Sequence, residues 1–480
     1  MAELELNPHL FRAYDIRGIA RGEADDELTT AAAERIGRAF GTFLSSQALS
    51  APRAQPNERL RVVVGRDNRP TSLGLSASLI SGLRASGVDV TSIGLAPSPL
   101  TYYAAFDGGF DGAVSVTASH NPVEFNGFKL LREVAQPLLP EEISAVQTLA
   151  AGESFVEGAG ATAEAEPHEA YVRMLGERFR LKRPLRIVAD PGNGVGTLTG
   201  PAALRAAGAD VVELYGELVE GFPNHLPNPQ DAATMVDLAA RVVAEGADLG
   251  VAWDGDADRL GLVDETGHRY EPDWIVAFLA RDVLRRHPGA RILVDMKSSR
   301  GPIQDIEAHG GVPVLARTGY STFRRQMRDE AILFGGEASG HIMFGEDYPY
   351  LDDGVFAACM VARIVAESGR PLLAHFAEMP SYVTSPEIGM PCPDGDKFAV
   401  AKAVAAAFRD AYEVSEVDGA RIEFKDGWAH VRASNTNPYL SVRFEAETLA
   451  RFVEIRELLW EVLRKHPSVT IPEGAGGPVE

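Results

Sequence analysis

The chain has 480 residues, of which 45 % are hydrophobic and 24 % charged, as expected of a globular protein of several domains with ample core. Its 46 basic residues face 68 acidic ones, and the resulting formal net charge of −22 argues against nucleic acid or an anionic membrane surface as partner. No apolar run of about 18 residues marks a transmembrane helix, and the start, Met1-Ala2-Glu3-Leu4-Glu5, lacks the basic and apolar regions of a signal peptide.

In chain order, Phe11-Arg12-Ala13-Tyr14-Asp15-Ile16-Arg17-Gly18 is dense in aromatic and basic residues and is expected to be a loop. A helix is predicted over 28–44 and a polar connector over 51–58. A unit then begins that recurs. Short apolar strands are predicted at 60–64, 185–189 and 290–294, each leading through a turn and a helix to a Gly-punctuated passage, at 82–90, 204–212 and 306–314. Each unit reaches a further apolar strand that runs into a polar loop. These strands are 112–116, before Thr117-Ala118-Ser119-His120; 248–253, before Asp254-Gly255-Asp256-Ala257-Asp258-Arg259; and 331–335, before Gly336-Glu337-Ala338-Ser339-Gly340-His341.

Alternating strands and helices predict an α/β fold: three similar α/β domains, over 1–165, 166–268 and 269–380. The pattern stops after Pro380, and 381–480 reads as a smaller α+β domain, with helices over 398–412 and 447–465 and strands over 429–432 and 440–445. The two cysteines, Cys359 and Cys392, cannot build a disulfide framework, so a reducing cytoplasm is the expected setting and both read as core or loop residues.

The loops carry the chemistry. Asp254, Asp256 and Asp258 alternate within five residues, and three carboxylates this close repel unless a cation joins them. All-oxygen ligands without His or Cys favour Mg²⁺ or Ca²⁺ over zinc; a solvated acidic turn is the plain alternative. An EF-hand would use Glu265 at its twelfth position, but Arg259 stands where that loop requires Gly, and a strand rather than a helix precedes. Arg432, Ser434, Asn435 and Thr436 form a donor-rich turn suited to phosphate oxygens or simply to a hairpin. Glu337 and Ser339, with His341, suit a sugar diol or only a Gly-punctuated turn. Ser119 lacks a base–orienter pair and a nucleophile elbow, so it is not an obvious triad serine. Lys129 lies ten residues on, placed either to return to that loop or to sit on the surface.

Together these motifs resemble the α-D-phosphohexomutase family, and within it the bacterial phosphomannomutase/phosphoglucomutase branch. The resemblance runs from Phe11–Gly18, through Thr117–Pro122, Asp254–Arg259 and Gly336–His341, to Arg432–Pro438. It implies three similar α/β domains and a smaller fourth around a central cleft. Ser119 matches the phosphate-carrying serine. Asp254, Asp256 and Asp258 match Mg²⁺ ligands, joined by an oxygen of that phosphoserine. Arg259 matches a residue near the transferring group, and Lys129 and His341 match residues of proton transfer. Glu337 and Ser339 match the sugar-holding loop, and Arg432, Ser434, Asn435 and Thr436 the clamp on the non-reacting phosphate. Tyr14, Arg17, Lys297 and Tyr320 match positions near the substrate.

The implied reaction moves phosphate between O1 and O6 of mannose or glucose through a hexose 1,6-bisphosphate, with the basic residues making a locally positive site inside an acidic protein. Two positions depart from the branch: Ala257 where Gly is commoner, and Tyr320 before Ser321 where His is usual, which bears on sugar preference. Glu337-Ala338-Ser339 argues against the glucosamine branch, with its Glu-Gln-Ser. The competing readings are a phosphoglucosamine mutase, a sugar phosphatase, which would need neither sugar loop nor distal clamp, and a shell that binds sugar phosphate or calcium without catalysis. The expected partner is a small phosphosugar, with the protein a monomer or dimer.

Overall fold

A computed structural model describes residues 6–47, 59–434 and 438–478. The connector expected at 51–58, and Asn435 and Thr436, lie outside the described residues. The chain forms two compact units. The first comprises Met1–Pro272, Arg324–Ala331 and Ser339–Ala374; the second comprises Asp273–Phe323, Ile332–Ala338 and His375–Glu480.

The first unit holds two sheets built on one plan. In one, the central strand Arg61–Arg66 pairs in parallel with Asp89–Leu95 on one side and Gly112–Val116 on the other. Gly112–Val116 then pairs antiparallel with Phe125–Arg132. In the other, Arg186–Asp190 pairs in parallel with Asp210–Glu213 and Leu249–Trp253, and Leu249–Trp253 pairs antiparallel with Leu260–Asp264. Val62, Val63 and Val64 are all buried, so both faces of the central strand are covered, as continuous β-branched runs in parallel sheets require. One face packs against Thr30–Ser46 and Ser72–Ala85, with Ile36, Phe40, Leu79 and Leu83 meeting Val62, Val64 and Val114 in one core.

Two local expectations change. Residues 16–19 are not loop: Ile16–Ile19 is a strand, antiparallel to Phe125–Arg132, with Ile16 wholly buried. Gly127 permits that pairing, since a Cβ there would meet Ile16 O at 2.2 Å. The strand expected at 331–335 is Phe334–Gly336, because Ala331 takes a left-handed φ of 52° at the end of the helix Tyr320–Asp329.

The second unit repeats the start of the same plan: Arg291–Asp295 pairs in parallel with Val312–Ala316 and with Phe334–Gly336. It also holds an antiparallel sheet in the order Val383–Thr384, Tyr439–Ala446, Gly427–Ala433, Ala420–Phe424, Glu413–Ser415. Its core joins Val404 and Phe408, from Lys397–Phe408, and Phe452, Leu459 and Trp460, from Leu449–Leu463, to Val431, Val442 and Phe444 of the strands. Among the described residues no helix is long and apolar enough to cross a membrane. Both cysteines are buried thiols.

Candidate active site

Equivalent strands deliver the first two loops to one place. Ser119 follows Gly112–Val116 and takes a left-handed φ of 53°; Asp254 follows Leu249–Trp253, and Ala257 in its loop takes φ 60°. Left-handed non-glycine residues are costly and persist where surrounding bonds over-determine them. Here Thr117 Oγ1 accepts from Ser119 N at 2.9 Å, and Ala257 N donates to Asp254 O at 2.9 Å. The loops touch through Gly255, where a Cβ would meet Ser119 O at 2.5 Å. Ser119 Oγ then reaches Asp254 Oδ2 at 2.6 Å. His120 Nδ1 lies 3.2 Å from Ser119 Oγ; burial, reinforced by Arg259 and Arg17, holds its imidazole well below the usual range.

Asp254, Asp256 and Asp258 are wholly buried and offer oxygens within 4.8 Å of one another. Burial, then the charges of Asp256 and Asp258, push the Asp254 carboxyl up to about 8. Lys129, from Phe125–Arg132, donates through Nζ to Asp256 Oδ2 at 2.6 Å and to Asp258 Oδ2. Burial works against its charge, yet Asp256 and Asp258 outweigh burial and keep the ammonium well above its ordinary range. Ser98 supports the loop from behind, with N on Asp256 O at 2.9 Å and Oγ on Asp256 Oδ2 and near Ser115 Oγ.

Lys129, together with Arg259, whose Nε lies 3.8 Å from Asp254 Oδ2 and 4.0 Å from Asp258 Oδ1, does not saturate the three carboxylates: Asp256 Oδ1 and Asp258 Oδ1 have no hydrogen-bond partner among the described residues. Hard oxygens, left over and converging, fit a divalent cation such as Mg²⁺. Without a cation the folded protein retains on Asp254 a proton that an unfolded aspartate, with its ordinary value of 3.8, releases. Stability conferred by this group therefore falls as pH rises from about 4 to about 8. A bound cation takes the place of the proton, so Mg²⁺ raises Tm more at pH 8 than at pH 5. Thermal melts with Mg²⁺ or EDTA at both pH values check this; equal shifts count against it.

The same unit brings in Arg259 and His341. Arg259 N donates to Asp254 Oδ1 at 3.2 Å and its Nε to His341 Nε2 at 3.2 Å, while a backbone bridge joins the two residues. His341 Nδ1 lies 3.1 Å from Asp352 Oδ2. Burial opposes the charge of Asp352, but His341 and the buried guanidinium of Arg324, whose Nη1 is 3.0 Å from Asp352 Oδ1, bring its carboxyl down to about 2. Arg17 donates to Asn121 Oδ1 and Asp15 Oδ2, which ties the strand Ile16–Ile19 to the Ser119 loop. Tyr14 is half-buried in the turn just before that strand, and Ser339 is half-buried beyond the Glu337 turn.

The second unit places its own set. Lys297, two residues past Arg291–Asp295, donates through Nζ to Glu387 Oε2 at 2.8 Å. Ser441 Oγ donates to Glu387 Oε1. Burial opposes ionisation of Glu387, but Lys297, Ser441 and Arg432 lower its carboxyl to about 2. Arg432, near the end of Gly427–Ala433, has Nε 3.4 Å from Asp418 Oδ2. Glu337 Oε1 accepts from Gly319 N at 2.6 Å, next to the buried Tyr320 that opens its helix. Ser434 N donates to Tyr439 O at 3.0 Å. The sequence reading missed Ser98, Arg324, Asp352, Glu387 and Asp418; each acts on a partner distant in the chain, so no local motif marks it.

Family models of phosphoglucomutase/phosphomannomutase match the chain in four consecutive parts: α/β/α domain I over residues 8–157, domain II over 169–267, domain III over 271–382 and the C-terminal domain over 387–461. The chain is 37 % identical over 459 residues to the phosphomannomutase/phosphoglucomutase of Pseudomonas aeruginosa, covering 95 % of each. It is 34 % identical over 468 residues to a phosphoglucomutase of Neisseria gonorrhoeae, covering 96 % of this chain and 98 % of that one. Among solved structures, a phosphoglucomutase/phosphomannomutase family protein of Burkholderia thailandensis superposes with a TM-score of 0.88 at 32 % identity, covering 99 % of this chain and all of the other.

Proposed function

Since the chain belongs to the phosphoglucomutase/phosphomannomutase family and is a hexose phosphate mutase, we propose that Ser119 is its phosphoryl carrier and that the groups around it serve the transfer. The observation that carries this reading is Ser119 Oγ, 2.6 Å from Asp254 Oδ2, at the edge of a buried carboxylate cluster that Lys129 enters.

In this reading phosphorylated Ser119 meets a hexose 1- or 6-phosphate. The free sugar hydroxyl attacks phosphorus, the bond to Ser119 Oγ breaks, and a hexose 1,6-bisphosphate forms. His341 takes the proton of the attacking hydroxyl. After the sugar turns over, its other phosphate returns to Ser119 Oγ by the reverse step. Phosphoryl transfer asks for alignment and charge more than for covalent novelty, and Lys129 and Arg259 supply positive charge close to Ser119. Asp254, Asp256 and Asp258, with an oxygen of the phosphoserine, would hold Mg²⁺, which when bound neutralises charge on the transferring group. Glu337 and Ser339 hold the sugar, with Tyr14, Arg17, Lys297 and Tyr320 near it, and Arg432 and Ser434, with Asn435 and Thr436, clamp the phosphate that does not react. The expected division into four domains belongs to this proposal.

Mannose and glucose phosphates are the proposed substrates. The test is a coupled assay on mannose 1-phosphate, glucose 1-phosphate and glucosamine 1-phosphate; dominant glucosamine activity overturns the assignment. In the same assay Arg432→Ala raises KM. A charge-assisted phosphate contact is worth about 1.5–3 kcal/mol, which corresponds to roughly 10- to 150-fold. An unchanged KM removes Arg432 from the clamp.

A further inference from the structure

We propose that Arg69 is a positioning residue for Ser119, a guanidinium that fixes the serine loop by its backbone. The inference rests on Ser119 being the phosphoryl carrier. Arg69 is 1 % exposed. Its Nη2 donates to Ser119 O at 2.8 Å and Asn121 O at 2.6 Å; its Nη1 donates to Pro122 O at 2.6 Å and Phe125 O at 3.0 Å. Its Nε donates to Asp67 Oδ2 at 3.1 Å. A guanidinium carries five N–H donors in a rigid plane, and here each has an acceptor, four of them carbonyls between Ser119 and the first residue of the strand Phe125–Arg132.

The turn does not hold its shape alone. Ser119 sits at φ 53°, a conformation that L residues leave unless held. The direction of the Ser119 carbonyl sets the peptide plane beside the residue, and so where Oγ points. Arg69 is itself held. Asp67 Oδ1 accepts from Arg69 N at 3.0 Å and from Ser72 Oγ, and Asp67 N donates to Val116 O at 2.9 Å, at the end of the strand that precedes Ser119.

The same arrangement gives a part to Phe222-Pro223-Asn224-His225, to which no catalytic role attaches. The Phe222 ring, buried and at φ 52°, lies with its centroid 5.3 Å from the Arg69 guanidinium carbon. Asn224 Nδ2 donates to Asn193 Oδ1 at 2.7 Å, and His225 Nε2 lies 3.1 Å from Asp190 Oδ2. Asn68, next to Arg69, donates through Nδ2 to Asn193 O at 2.8 Å. Asp190 ends the strand that pairs in parallel with Leu249–Trp253, which leads directly into Asp254. Arg69 and the 222–225 segment thus join the serine loop to the strand pair behind the acidic loop, and hold Ser119 Oγ in register with Asp254.

Lysine in place of Arg69 keeps the charge opposite Asp67 but has three donors on one nitrogen, too few for four spread carbonyls. The experiment compares wild type, Arg69→Lys and Phe222→Leu by thermal melting, by kcat and KM on glucose 1-phosphate, and by the rate at which glucose 1,6-bisphosphate labels Ser119, read by intact-protein mass. The expected result for Arg69→Lys is a cooperative melt, a KM within about twofold of wild type, and kcat and labelling rate lowered together by about tenfold or more, as misplaced reacting groups require. Phe222→Leu, a milder change, lowers both by about threefold, and decides the matter if Arg69→Lys does not fold. A folded variant with wild-type kcat and labelling rate, or with its change confined to KM, overturns the proposal. Absence of phosphate on wild-type Ser119 both before and after the bisphosphate is added overturns the carrier reading itself, and this inference with it; labelling of phosphatase-treated wild type that is equally fast in phosphatase-treated Arg69→Lys overturns this inference alone.

Discussion

Ser119→Ala loses mutase turnover almost completely and keeps its fold. The Oγ it removes is the atom that, as proposed, carries the phosphoryl group, 2.6 Å from Asp254 Oδ2. The expected loss in kcat is about 10³-fold or more, the scale seen when a covalent nucleophile is deleted. Stability changes little. One hydrogen bond, worth about 1 kcal/mol, is lost, and alanine at φ 53° bears the same backbone strain as serine. The check pairs a coupled assay, with glucose 1,6-bisphosphate supplied, with a thermal melt. Near-wild-type turnover sinks the phosphoserine assignment, and a collapsed melt makes Ser119 chiefly a structural residue.

Lys129→Met damages both stability and rate. Methionine matches the length of the stem, so packing is largely kept, but Asp256 and Asp258 lose the ammonium that donates to both. Removing one partner of a buried ion pair typically costs about 3–5 kcal/mol, and removing a group that handles charge or protons at the reacting atoms costs about 10²–10⁴-fold in rate. The two losses separate on adding Mg²⁺. A cation shared by Asp254, Asp256 and Asp258 restores much of the charge balance, and with it stability, but it does not restore turnover. Denaturant melts and kcat with and without Mg²⁺ test this. A variant as stable as wild type without any cation counts against Lys129 as the internal counter-charge.

Much of this was legible in the sequence because the signals are local. The apolar β-branched runs at 112–116 and 248–253 ending in polar loops marked the strands and their order within the repeat, and the spacing of Asp254, Asp256 and Asp258 pointed to a cation site, with a solvated acidic turn as the alternative. The strand Ile16–Ile19 was not legible: its four residues, Ile-Arg-Gly-Ile, show no clear alternation, and its strand character comes from pairing with Phe125–Arg132 more than 100 residues on. Arg69 reads as one more arginine in a turn, because the carbonyls it holds lie 50 to 56 residues away. Asp352 and Glu387 are likewise defined by partners that only the fold supplies.

The segmented first unit has a consequence for biogenesis. Its closing pieces, Arg324–Ala331 and Ser339–Ala374, come after the chain has left to begin the second unit. Arg324 donates to Ala135 O at 2.6 Å, and Asp352 and His341 lie beside Asp258 and Arg259. At a synthesis rate of about 5–20 residues per second, a nascent chain emerging past Pro272 waits several seconds with its acidic loop assembled but its histidine and buried arginine still unmade. Until then Asp258 has Lys129 but not His341, and Ala135 O lacks Arg324. The loops proposed to carry the reaction therefore mature late in the first unit, and on that reading a ribosome stalled within the second unit's first segment would hold a chain that is folded in part and inert.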